Sequence, residues 1–181
     1  MGPLERSGNN GILLASIPSM WPVRGWLNSG FGYRISPSTG EREFRNGLEL
    51  STRLNAAIMA PSDGVVTSVT GDPKLGKTIS IDHGYGLLTK YGYLQKALAS
   101  KGQHVKRGEV IALVGIMGPL KGPGLHYEVH LSGVPVNPVR YTFIREKGAS
   151  DRKILQGQED TALGFDAGIQ LSSKSLKAAA K

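Results

Sequence analysis

The chain contains no cysteine. That excludes disulfides, zinc–thiolate centres and thiol nucleophiles, while an exported protein that needs no oxidative folding remains compatible. Long apolar runs are missing too. The longest near the start, GILLASIPSM, is too short and too interrupted by proline to cross a bilayer. No charged segment precedes a true apolar core, so no secretory leader is visible. Aromatic residues are only 7% and no run of five or six basic residues occurs, which argues against a nucleic-acid interface.

What is present points to a β-rich domain. A length of 181 residues suits one compact domain with ends to spare. Glycine is abundant, at 25 residues, and helix-periodic runs are few, a combination that favours short strands and tight turns. The formal net charge of +8 favours polyanions such as anionic lipid headgroups or an anionic cell wall.

Along the chain, residues 1–20 read as linker. Membrane attachment is therefore expected only through an N-terminal anchor lying outside this sequence. From Trp21 to Ile144 the texture is that of antiparallel strands. VVTSV follows a turn at Asp63–Gly64. GKTISIDHG alternates polar with apolar residues, GLLTKYGYL reads as one strand, GEVIALVG as a buried one, and LHYEVHL alternates again. Prolines in PVNPVRYTF are expected to stop the sheet. Residues 145–181, ending in SSKSLKAAAK, read as a polar tail.

The segments SGFGYRISPSTGEREF, NGLELS, APSDGVVTSV, GKTISIDHGYGLLTKYGYL, GQHVKRGEVIALVG and GPGLHYEV…GVPVNP occur in the order found in another group of proteins. In this respect the chain resembles the lysostaphin/LytM-type peptidoglycan endopeptidases over roughly two thirds of its length. The resemblance implies a mainly β fold, a distorted antiparallel β-sandwich of the LytM/duplicated-hybrid-motif type with short strands and long loops. It also implies a zinc enzyme that cuts peptide cross-links of bacterial cell walls, in the periplasm, envelope or extracellular space.

Five site positions follow from that family pattern. The zinc ligands fall on Arg45, Glu49 and His126, and the two catalytic histidines fall on Tyr93 and Gly124. Only His126 keeps the family residue. Catalytic zinc needs about three ligands drawn from His, Cys, Asp and Glu, plus an open position for water. Arginine has no lone pair to give and stays protonated, so Arg45 sets a positive charge where the cation would sit. Glu49 and one histidine make a poor site, and neither Tyr93 nor Gly124 replaces an imidazole base near neutral pH. Arg45 and Glu49, read as sharing one face of one strand, are expected to pair.

Arg34 lines the groove or is a surface arginine, with the two readings about equal. His83 reads as a strand-end histidine and His104 as exposed. A rescue ligand set of Glu49, His126 and His130 fails because four residues of strand separate the histidines by roughly 13 Å. Leu125, Tyr127 and Val129 should face the core, and Trp21 and Trp26 should pack on the sheet. GEVIALVG also resembles a biotinyl or lipoyl carrier strand, but the lysine tripeptide those carriers need is absent.

The expectation is thus a non-catalytic LytM-like envelope domain without zinc. It would bind peptidoglycan or a partner protein, such as a cell-wall amidase or an envelope scaffold, through the groove of the family's zinc site, using Arg34, Arg45, Glu49, Tyr93 and His126. The alternatives are an active zinc endopeptidase with an atypical ligand set, and a basic wall-associated module with no specific ligand.

Overall fold

A computed structural model describes residues 16–36, 39–118 and 121–142. Most of the expected linker and the polar tail from 145 lie outside the described residues. Among the described residues there are thirteen strands: β1 (Trp26–Ser29), β2 (Gly32–Ile35), β3 (Arg42–Arg45), β4 (Leu48–Ser51), β5 (Ala57–Met59), β6 (Gly64–Asp72), β7 (Gly76–Gly84), β8 (Leu87–Gly92), β9 (Leu94–Ala97), β10 (His104–Val105), β11 (Val110–Ile116), β12 (Pro123–Leu131) and β13 (Val134–Val136). A single helical turn, Val139–Thr142, follows.

All pairings are antiparallel, as expected for a mainly β fold. The principal order is β1-β4-β12-β8-β7-β6-β10, and β11 pairs with β5 and β9. Strand β11 joins the two parts, because its end also pairs with β12 at Gly115↔Gly124 and Ile116↔Pro123. The core fills the space between them. Leu50, Val66, Ile79, Ile81, Tyr91, Leu125, Tyr127 and Val129 come from one layer, and Ile58, Leu94, Ile111, Ala112 and Val114 from the other. Alternation in β7 and β12 sends these side chains to the shared interior.

Several expectations need correcting. GLLTKYGYL is two strands, β8 and β9, broken at Tyr93, whose φ of 60° no continuing strand can adopt. Pro135 lies within β13 and does not stop the sheet; among the described residues β13 is an edge strand paired with β12 alone, a place where proline is tolerated. Ser16 is buried and Ile17 packs on the core, with the Ile17 carbonyl accepting from Arg107 Nη2 at 3.0 Å, so the last residues of the expected linker dock on the domain. Trp21 packs on the core as expected, but Trp26 is 79% exposed.

Candidate functional site

The register of four strands brings the site together. Ser29 on β1 pairs with Glu49 on β4, Glu49 with His126 on β12, and His126 with Gly92 on β8. These residues form a row across the sheet on the face opposite Leu50, Leu125 and Tyr127. That face is covered as well. The Asn46–Gly47 turn presses onto β12 so closely that a Cβ at Gly47 would lie 2.3 Å from the Tyr127 carbonyl and 2.8 Å from Glu128 Cγ.

The hairpin β2–β3 is a separate two-stranded sheet beside this row. Arg45 ends β3 and Glu49 lies on β4, so the expectation of one strand face is corrected: the chain turns between them at Asn46–Gly47. They still meet, with Arg45 Nη1 donating to Glu49 Oε1 at 2.6 Å. The hairpin's inward face is ionic. Arg34 donates to Glu43 and, at 3.2 Å, to Ser29 Oγ, and Arg45 Nε donates to Glu43 Oε1 at 3.3 Å. Arg34 thus belongs to the site's charge network. The outward face is apolar. Tyr33 and Ile35 are each 64% exposed and Phe44 is 44% exposed, with the Arg42 guanidinium 4.0 Å over the Tyr33 ring.

A further cation completes the site, and sequence reasoning missed it. Lys121 sits in the turn between β11 and β12, and its Nζ donates to both Glu49 oxygens, at 2.9 and 3.0 Å. The Glu49 side chain is only 2% exposed. Burial pushes its carboxyl up, but the Lys121 hydrogen bond and the charges of Arg45 and Lys121 outweigh that and hold it below the usual range. The one available signal was a lysine three residues before Gly124, which by itself is an ordinary loop lysine.

The other expected positions are also filled. At Gly124 a Cβ would lie 2.4 Å from Met117 Cε and 2.6 Å from the Leu50 carbonyl. Met117 is itself buried, so the place of a longer side chain is taken. Tyr93 stands edge-on to the His126 ring, centroids 6.3 Å apart. Burial raises its hydroxyl pKa, and Glu49 raises it further. His126 Nε2 and His130 Nε2 lie 2.8 and 2.6 Å from the two oxygens of Glu128. Burial pushes Glu128 up, but those two hydrogen bonds prevail and bring it down to about 2. His126 Nδ1 is buried with no partner.

His83 and His104 fall outside this site. His83 is buried, with Ser62 Oγ and the Asp63 carbonyl at Nδ1 and Thr89 Oγ1 at Nε2, and Thr89 in turn meets the Tyr91 hydroxyl. Burial lowers its pKa. It is a structural link between β7 and β8. His104 is exposed.

These donors do not fit a zinc ion. The unpartnered His126 Nδ1 could give one lone pair, but both oxygens of Glu49 are already engaged, Oε1 by Arg45 and Lys121 and Oε2 by Lys121. Two unit charges about 4 Å apart repel by roughly 4 kcal/mol at the effective dielectric of a partly buried site, and a doubly charged ion would meet twice that from each of Arg45 and Lys121. Among the described residues no three His, Cys, Asp or Glu side chains are grouped to hold a metal.

The chain is 39% identical over 115 residues to the peptidoglycan DD-endopeptidase ShyB of Vibrio cholerae, an alignment covering 63% of this chain and 27% of that protein. It is 33% identical over 120 residues to the murein hydrolase activator EnvC of Escherichia coli, covering 66% of this chain and 28% of EnvC. The fold matches a zinc-containing peptidase from Vibrio cholerae with a TM-score of 0.61 and 38% identity, covering 65% of this chain and 38% of that one. The chain spans about a quarter of the length of these curated relatives. The pattern of Peptidase family M23 matches residues 43–138, just over half of the sequence, and the chain belongs to that family.

Proposed function

We propose that this chain is a non-catalytic M23 domain of the bacterial envelope that binds peptidoglycan or a partner protein at the groove over Glu49 and His126. The observation that carries this reading is the engagement of the buried Glu49 carboxylate by Arg45 and Lys121, which puts two cations where the family's chemistry needs one metal ion. The absence of an imidazole at Tyr93 and Gly124 adds to it, since neither a tyrosine hydroxyl nor a glycine replaces an imidazole base near neutral pH. Similarity to a murein hydrolase activator makes activation of a cell-wall hydrolase a natural role. The outward face of β2–β3, apolar and capped by Arg42, offers the kind of exposed aromatic surface that partner proteins use.

A second reading, an atypical zinc endopeptidase, draws on the unpartnered Nδ1 of His126 and on the peptidase relatives. One experiment separates the two. Protein purified without chelator is offered zinc, dialysed and analysed for metal, and then incubated with cross-linked wall peptides. The non-catalytic reading expects less than about a tenth of an equivalent of zinc and no cleavage. Near one equivalent, lost in His126→Ala, together with cleavage would overturn it.

A further inference from the structure

Beside the non-catalytic reading, on which it rests, the geometry points to a more specific assignment. We propose that Lys121 and Arg45 together stand in for a metal ion, and that Lys121 would still keep a metal from binding if a histidine stood at position 45.

The charges match. Arg45 and Lys121 contribute two positive charges and Glu49 one negative, leaving +1 at the site. A divalent ion with one carboxylate and neutral imidazoles leaves the same +1. The contacts match as well. Like an ion, the Lys121 ammonium addresses both Glu49 oxygens, at 2.9 and 3.0 Å, while Arg45 Nη1 adds a third contact at 2.6 Å. A buried carboxylate needs such compensation wherever it occurs. The protein therefore holds its groove together from within the chain.

The two cations are not equivalent. Arg45 is also tied to Glu43, so its charge is shared within the hairpin network. Among the described residues Lys121 meets no second carboxylate, and it reaches Glu49 from a turn whose backbone closes through Lys121 N–H to the Gly118 carbonyl at 3.2 Å. Its side chain is 36% exposed against 2% for Glu49, so Lys121 is the member of the pair in contact with solvent. Beneath it His126, paired in register with Glu49, keeps Nδ1 without a partner. Removing the ammonium would leave the Glu49 carboxylate one cation short, with the unpartnered imidazole nitrogen on the strand paired with it. A histidine at position 45 would supply the third ligand.

The test compares two variants of the full chain, Arg45→His/Glu49→Asp with and without Lys121→Gln. Zinc content after dialysis, the visible absorption of bound cobalt and the melting temperature with and without zinc are the readouts. The variant that keeps Lys121 should hold little metal, and adding Lys121→Gln should raise zinc affinity at least about tenfold and bring a tetrahedral cobalt spectrum. Lys121→Arg in the same background should exclude metal as lysine does. If the variant melts below the assay temperature, Arg45→His with and without Lys121→Gln carries the same comparison. Equal zinc affinity with and without Lys121 overturns the assignment. So does a folded Lys121→Gln variant that binds no metal, because something other than that charge then keeps zinc out. Neither outcome bears on whether the native chain lacks catalysis, which is decided by zinc content and cleavage in the unaltered protein.

Discussion

Glu49→Gln isolates the interaction on which the site rests. The carboxylate is 2% exposed and receives donors at 2.6, 2.9 and 3.0 Å from Arg45 and Lys121. Removing one partner of a buried ion pair costs about 3–5 kcal/mol, because the remaining charge is left uncompensated. Lys121, 36% exposed, can turn toward water once released, which places this case at the lower end, about 3 kcal/mol. For a domain of this size that is a fall of roughly 10 °C in melting temperature. Urea denaturation followed by tryptophan fluorescence measures it at pH 7. The pH dependence gives a second check. Burial raises the Glu49 pKa but the cations lower it more, so the folded value lies below the unfolded one. The stabilisation is then fully present above the ordinary carboxylate range and is lost as pH falls through the depressed folded value. The difference between native protein and Glu49→Gln should shrink in that acidic window. A loss under about 1 kcal/mol at pH 7, or one that does not shrink in acid, would refute the argument.

Other substitutions probe the neighbouring contacts. Glu128, held at about 2 by His126 and His130, should contribute about 3 kcal/mol near neutral pH; Glu128→Gln should remove that, with the loss disappearing between pH 4.5 and about 2, as acid unfolding of both proteins would reveal. Gly124→His should destabilise by about 1–3 kcal/mol, since the new Cβ meets Met117 and the Leu50 backbone, and should produce no cleavage of wall peptides. Adding Met117→Ala should recover part of the loss in thermal melting, because only the Met117 end of the clash is removable; full stability in Gly124→His alone would contradict the packing described.

Much of the fold was readable from local pattern. Alternation in GKTISIDHG and LHYEVHL marks strands whose apolar members face one interior, because side chains in a strand alternate with a period of two. The resemblance read from six motifs agrees with the matched family, and it brought Arg45, Glu49 and His126 into view as neighbours. The break at Tyr93 was not readable, since a tyrosine gives no sign of the positive φ that surrounding structure imposes on it. Nor was the exposure of Trp26, because burial of an aromatic depends on what else covers the sheet edge.

The amino-acid sequence by itself determined the strand content, the family and that positions 45, 93 and 124 carry no imidazole, because residue type alone decides what a side chain can donate or accept. Only the tertiary structure decided what stands around those positions. Lys121 and Glu49 lie 72 positions apart and meet through the register of β4 with β12, which sets the β11–β12 turn over the carboxylate. Met117 takes the space beside Gly124 for the same reason, since β11 turns back onto β12 at Gly115↔Gly124. Strand periodicity says which face a side chain takes; register between distant strands says what it touches there.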